Sequence, residues 1–115
     1  MFKISQKDEA CIRNILESID KIKKYSQKFN DADSFYADEI SFDASMMNFI
    51  IIGEMAGKIS GEFIASSEKE ISWIKVKNFR NLIAHNYFGI DAEEVWQIIH
   101  GSLADLDKVL KTYLY

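Results

Sequence analysis

Within the string Arg80-Asn81-Leu82-Ile83-Ala84-His85-Asn86-Tyr87 the chain gathers a permanent cation, a carboxamide, an imidazole and a phenol. Arginine keeps its charge at any working pH and presents a planar fork that matches phosphate oxygens. Histidine ordinarily titrates near neutrality, so His85 is suited to accept or donate a proton. Asn81 is suited either to orient that imidazole or to hydrogen-bond a phosphate. Lys75 and Lys77 precede Arg80, and no acidic residue stands between Ile71 and Ile90. The segment is locally basic in a chain of net charge −4. The chemistry suggested is proton transfer beside a bound phosphodiester.

Spacing constrains how these groups meet. Asn81 and His85 are four apart and share a helix face. Arg80 and His85 are five apart, which turns them roughly 140° from each other on a regular helix. Either the long Arg80 side chain wraps around, or the helix unwinds near His85, or the arginine serves the site of a second subunit. Arg80 and Tyr87, seven apart, align if the helix persists that far. A plainer reading also stands: an Arg and a His near a helix end can hydrogen-bond the last carbonyls and favour the dipole. In that reading Tyr87 is a half-buried anchor.

The elements that must carry this string are helical. Ser5 opens the first pattern, with Asp8 and Glu9 in the turn where the dipole favours acids. Cys11, Ile15, Ile19, Ile22 and Phe29 follow at helical spacing, and Lys21, Lys23, Lys24 and Lys28 read as a solvated basic face, with an RNA contact as the alternative. Asn30 to Ser34 break the period with turn and cap residues, after which Phe35 and Tyr36 anchor a short segment over the core. A second helix is predicted from near Asp38 to about Ser60. It is apolar nearly all round from Met46 to Ile52 and so central, with Met46 and Met47 as core or interface filler. Gly53 and Gly57 allow close helix contact. Glu54 is a charge beside this apolar stretch, either an orienting partner for Arg80 or a rim charge.

Ser60 and Gly61 end that helix, and Ala65 to Glu68 read as a polar connector. Ile71 to Ile83 make the third helix, with Gly89 as its C-terminal stop. Asp91 caps a last helix that runs at helical spacing from Val95 to Tyr113. Four main helices with short connections predict an all-α, up-and-down four-helix bundle with a short extra helical segment. It forms a single domain over residues 1–115.

Composition excludes several classes. Proline is absent and there are five glycines, which disfavours a turn-rich β fold. Cys11 is the single cysteine, so neither an intramolecular disulfide nor a cysteine metal cluster is available. His85 and His100 lie far apart with no H-x-x-x-H spacing, so no metal site is expected, and His100 reads as structural. The acidic balance disfavours a nucleic-acid coat protein but not an enzyme with a basic cleft. Met1 to Asp8 lack leader character, and the longest apolar run, Phe49 to Ile52, is far short of a membrane span. A soluble, cytoplasmic protein without cofactor is expected.

Taken with its flanks, the opening string resembles the HEPN superfamily, specifically the HepT-type toxins of prokaryotic HepT–MntA toxin–antitoxin pairs. Arg80, His85 and Tyr87 match the family's R-x-x-x-x-H-x-Y. The likeness extends to Ile52-Gly53-Glu54, to Trp73, to Tyr87-Phe88-Gly89-Ile90-Asp91 and to Val95-Trp96, covering roughly Ser5 to Thr112. It departs at Ser66-Ser67-Glu68-Lys69-Glu70, where relatives often carry a proline. The resemblance implies a metal-independent endoribonuclease acting as a homodimer or higher homo-oligomer, its motif helices facing across a shared cleft.

By the same resemblance Arg80 binds and polarises the scissile phosphate of an RNA substrate. His85 handles the proton of the attacking ribose 2′-hydroxyl, leaving a 2′,3′-cyclic phosphate. Asn81 and Glu54 support them. Tyr87 matches the residue to which the MntA nucleotidyltransferase antitoxin attaches AMP, silencing the toxin by filling the cleft beside Arg80 and His85. Tyr87, Phe88 and Trp96 offer a dimer or antitoxin contact. Two alternatives remain from the sequence. One is a non-catalytic nucleotide- or substrate-binding partner subunit of a minimal nucleotidyltransferase. The other is a plain helical adaptor.

Overall fold

Five short polar side chains set where helices begin. Ser5, Asp31, Asp38 and Ser60 each accept a hydrogen bond from the amide three residues on, at 3.1, 2.8, 3.0 and 3.2 Å, and Asp91 accepts one from Glu93 at 2.9 Å. Each satisfies an amide that the first helical turn leaves without a partner. In a computed structural model of the chain, which describes residues 3–115, the order is α1 Gln6–Ser26, α2 Ala32–Ala37, α3 Glu39–Lys58, α4 Gly61–Ser67 and α5 Trp73–His85. A 3₁₀ turn, Tyr87–Gly89, then leads to α6 Ala92–His100 and α7 Ser102–Leu114. Met1 and Phe2, on which the expectation about a leader partly rests, lie outside the described residues.

The described residues contain no strand, and the all-α bundle expected from the periodicity is what forms. Ile12, Ile15, Ile19 and Ile22 of α1 are fully buried, each contributing about 1.5–3 kcal/mol, against about 1 kcal/mol for a cap. Packing therefore decides the fold and the caps decide its boundaries. α3 lies between α1 and α5, as its apolar run predicted, burying Phe42, Met46, Phe49, Ile52 and Ala56. Val95, Ile99, Leu103, Leu106 and Leu110 of α6 and α7 complete the core. α2 is the short extra segment. Its Phe35 is fully buried, with ring centroids 5.3–5.7 Å from Phe29, Phe42 and Trp96.

Four local expectations change. The last helix is two: at Gly101 the backbone turns, its amide reaching Ile98 O at 3.3 Å. A Cβ there would lie 3.1 Å from Gln97 O. The stretch read as a connector belongs to α4, because Ser60 caps a new helix instead of ending the old one. Asp8 is more than a dipole partner. It is buried, and its two carboxylate oxygens accept from the Ser60 amide (2.9 Å) and hydroxyl (2.6 Å), tying α1 to the start of α4. Finally, α3 is not buried all round: Ile40 and Met47 are exposed on its outer face. Lys23, one of the basic run on α1, pairs with buried Asp107 of α7 at 2.8 Å, a structural role. No helix among the described residues is long and apolar enough to cross a membrane.

Candidate active site

The site is built where α5 crosses α3. A Cβ on Gly53 would lie 2.2 Å from Arg80 Cβ and 2.4 Å from its Cγ. Only a glycine lets the Arg80 stem lie against α3. Gly57, one turn on, has nothing within 4 Å of such a position, so it does not share the close contact expected of both glycines. It leaves open floor instead. With Glu54, Lys58, Lys77, Arg80 and Asn81, the two glycines line a cleft of about 380 Å³. Three cations thus face one carboxylate.

Arg80 is held within that cleft. Its Nη2 pairs with Glu54 of α3, and its Nη1 donates to Asn81 Oδ1 at 3.2 Å. Glu54 is thus the ion-pair partner of Arg80, and the Asn81 oxygen meets the arginine rather than the imidazole. The arginine side chain is about one-third exposed (29%), so its fork stays open to an anion.

α5 runs without a break to His85, where the Asn86 amide closes on Leu82 O at 2.9 Å. The helix therefore does not unwind to bring His85 round to Arg80, and the Arg80 guanidinium is committed to Glu54 and Asn81. Neither of the two ways of joining the motif residues within one chain, a wrapped arginine or an unwound helix, is what the structure shows. The His85 side chain is exposed and makes no hydrogen bond or ion pair with another described residue.

Tyr87 begins the 3₁₀ turn, half-buried, and its hydroxyl donates to Asp43 Oδ1 on α3. Burial, then the bond to the Asp43 carboxylate, then the negative surroundings raise the phenol pKa well above its ordinary value, so Tyr87 is neutral at working pH. Asp43 was not among the residues singled out from sequence. The signal was there in part: Asp43 and Glu54 are eleven residues apart, close to three full turns, hence on one face of α3. That face meets Arg80 at one end and Tyr87 at the other. Gly89, read as the C-terminal stop of this helix, closes the 3₁₀ turn beyond it, and no positive-φ residue occurs among those described. A Cβ there would lie 2.4–2.8 Å from the Asn86 side chain.

His100 lies elsewhere, exposed, with Nδ1 2.8 Å from Trp96 O and its ring 4.4 Å from the Trp96 ring, consistent with the structural reading. Beside α5, on the side away from Arg80, a groove of about 520 Å³ runs against α6 and α7. Its walls include Phe49, Ile52, Val76, Phe79 and Leu82. No group of three His, Cys, Asp or Glu side chains is gathered as a metal set among the described residues.

An all-helical bundle carrying its polar set on one late helix is the arrangement of a HEPN-type domain. The chain belongs to the HepT-like ribonuclease family, whose model ("Ribonuclease HepT-like") matches residues 15–113. It is 29% identical over 101 residues to a Methanocaldococcus jannaschii protein named "Gamma-glutamylcyclotransferase and putative RNase". That match covers 87% of this chain but 45% of the relative, so the chain spans less than half of that protein's length. It is 28% identical over 104 residues to a "Probable ribonuclease HepT" of Thermococcus cleftensis, covering 90% of this chain and 91% of that one. No solved structure matches the chain.

Proposed function

We propose that the chain is an endoribonuclease, the toxin of a toxin–antitoxin pair, whose active site is assembled from Arg80 of one subunit and His85 of another. The observation that carries this reading is geometric. Arg80 is fixed in the cationic cleft against α3, while His85 projects from the end of the same unbroken helix about 140° away. A second copy related by a two-fold axis brings one arginine to the other's histidine. The apolar groove along α5 and the exposed Ile74 and Phe88 supply surface for that copy.

In the shared cleft the Arg80 fork binds the scissile phosphate and offsets charge growing on its oxygens. The His85 imidazole accepts the 2′-hydroxyl proton as that oxygen bonds to phosphorus. The bond to the 5′-oxygen breaks and a 2′,3′-cyclic phosphate remains. No metal takes part in this scheme. Lys58 and Lys77 attract the neighbouring phosphates. Glu54 and Asn81 hold the arginine. A single domain over residues 1–115 carries all of these groups.

Control comes from transfer of AMP onto Tyr87 by a partner nucleotidyltransferase. Asp43 and Glu54 are separated by about 16 Å along α3, so the nucleotide does not reach the Arg80 of its own chain. It sits two residues from its own His85, and in the two-fold arrangement it covers the composite site. An added phosphate there also repels the substrate backbone.

The test is cleavage of single-stranded RNA by the purified chain in EDTA, with Arg80→Ala and His85→Ala beside it. Each substitution is expected to lower the rate by about 10²–10⁴-fold. Cleavage that survives both would overturn the reading.

A further inference from the structure

Tyr87 is a poor nucleophile as it stands. Its ring is half-buried, and burial together with its bond to Asp43 holds the phenol protonated. Glu39 of α3 and Tyr36 of α2 are the other titratable groups acting on it, and both add to that tendency. A phenol kept neutral attacks phosphorus only if a base takes its proton as the new bond forms.

One group is placed for this. The Tyr87 hydroxyl already donates to Asp43 Oδ1, the contact a general base requires. His85, although two residues away in sequence, makes no hydrogen bond with Tyr87, and Glu39 acts on the phenol only through its charge. The pair is reachable from outside. Asp43 is exposed on the outer face of α3 with Ile40 and Met47, three before and four after it, and Tyr36 and Phe88 are exposed on the neighbouring elements.

We propose that Asp43 is the proton acceptor for nucleotidyl transfer onto Tyr87. This rests on the reading of Tyr87 as the AMP acceptor. Tyr87 Oη attacks the α-phosphorus of a nucleoside triphosphate supplied by the partner enzyme. The Oη–P bond forms and the bond from that phosphorus to the pyrophosphate oxygen breaks. Pyrophosphate leaves with the electron pair, and the phenolic proton passes to Asp43 Oδ1. The chain thus supplies part of the chemistry by which it is silenced, rather than presenting a passive hydroxyl.

The experiment measures initial rates of label transfer from α-³²P-ATP by an MntA-type nucleotidyltransferase to the full chain. Tyr87→Phe is expected to take no label. Asp43→Asn, which still accepts the phenol's hydrogen bond but is not a base, is expected to label about 100-fold more slowly at saturating ATP, with KM for ATP unchanged. Asp43→Glu is expected to recover part of the rate. Asp43→Ser serves as a second variant with the same expected loss, and unfolding midpoints confirm that each is folded. Wild-type chain that takes no label overturns the acceptor reading and this inference with it. Label lost in Tyr87→Phe but taken at the wild-type rate by folded Asp43→Asn or Asp43→Ser overturns this inference alone.

Discussion

Alanine at Gly53 and at Gly57 makes an internally controlled comparison. Both positions are in α3, one turn apart, and both gain roughly 1 kcal/mol of helix propensity on replacement. They differ in what the new methyl meets. At 57 nothing lies within 4 Å, whereas at 53 it falls 2.2 and 2.4 Å from Arg80 Cβ and Cγ. Carbon atoms pack at about 3.5–4.0 Å, so α5 must retreat by roughly 1–2 Å. Arg80 Cβ is fixed to the backbone and cannot swing aside. Overpacking of this kind costs about 1–3 kcal/mol. Gly57→Ala is therefore expected to match or exceed wild-type stability, and Gly53→Ala to fall about 1–3 kcal/mol below Gly57→Ala. In urea, with slopes of about 1–3 kcal/mol per molar, that separates their midpoints by roughly 1 M. RNA cleavage by Gly53→Ala should drop about 100-fold as the Arg80 fork shifts by an ångström or more. Equal midpoints and equal cleavage for the two variants would refute the claim that the glycine exists to seat Arg80.

Other outcomes follow from the same contacts. Glu54→Gln is expected to cut cleavage about tenfold by loosening Arg80 while leaving stability within about 0.5 kcal/mol, measured by single-turnover rates and melting. Lys58→Ala and Lys77→Ala should each weaken RNA binding and reduce the slope of log affinity against log salt by about 0.7, the single-strand value per phosphate contact. An unchanged slope would remove those lysines from the RNA path. For acid stability the sign runs one way. Burial raises the Asp8 and Asp107 pKa values, but hydrogen bonds from Ser60 to Asp8, and from Lys23 and Lys111 to Asp107, outweigh it and leave both below the ordinary 3.8. Their stabilisation is complete above that value and is lost as pH falls through the lower folded-state values. Urea midpoints should therefore decline below about pH 4 in the wild type and decline less in Asp8→Asn and Asp107→Asn.

What was legible in the sequence was whatever depends on near neighbours. Ser5, Asp38 and Asp91 cap helices as their types predict, and Phe35 anchors α2 because its two flanks are turn-forming. The central place of α3 follows from its apolar run. Features set by partners far along the chain were not legible. Asp8 looked like a first-turn acid because its partner, Ser60, lies 52 residues away, and that pairing also hid α4. Tyr87 looked like a simple anchor because its partner Asp43 is 44 residues distant. Gly101 stood within an unbroken helical period, so no near neighbour announced the break in the backbone between α6 and α7. In the motif itself, spacing alone separated Arg80 from His85. The unbroken α5 and the Glu54 pairing keep the two apart within one chain, and the proposed shared site rests on that separation.

Mixing inactive chains tests that last point most directly. Arg80→Ala and His85→Ala proteins are each expected to be inert. If the site is shared, a mixed dimer keeps one intact pair, the arginine of the His85→Ala chain beside the histidine of the Arg80→Ala chain. Half of randomly reassorted dimers are mixed and one site in two is whole, so the mixture should recover about a quarter of wild-type RNA cleavage. A mixture no more active than either variant alone would contradict a site divided between two subunits.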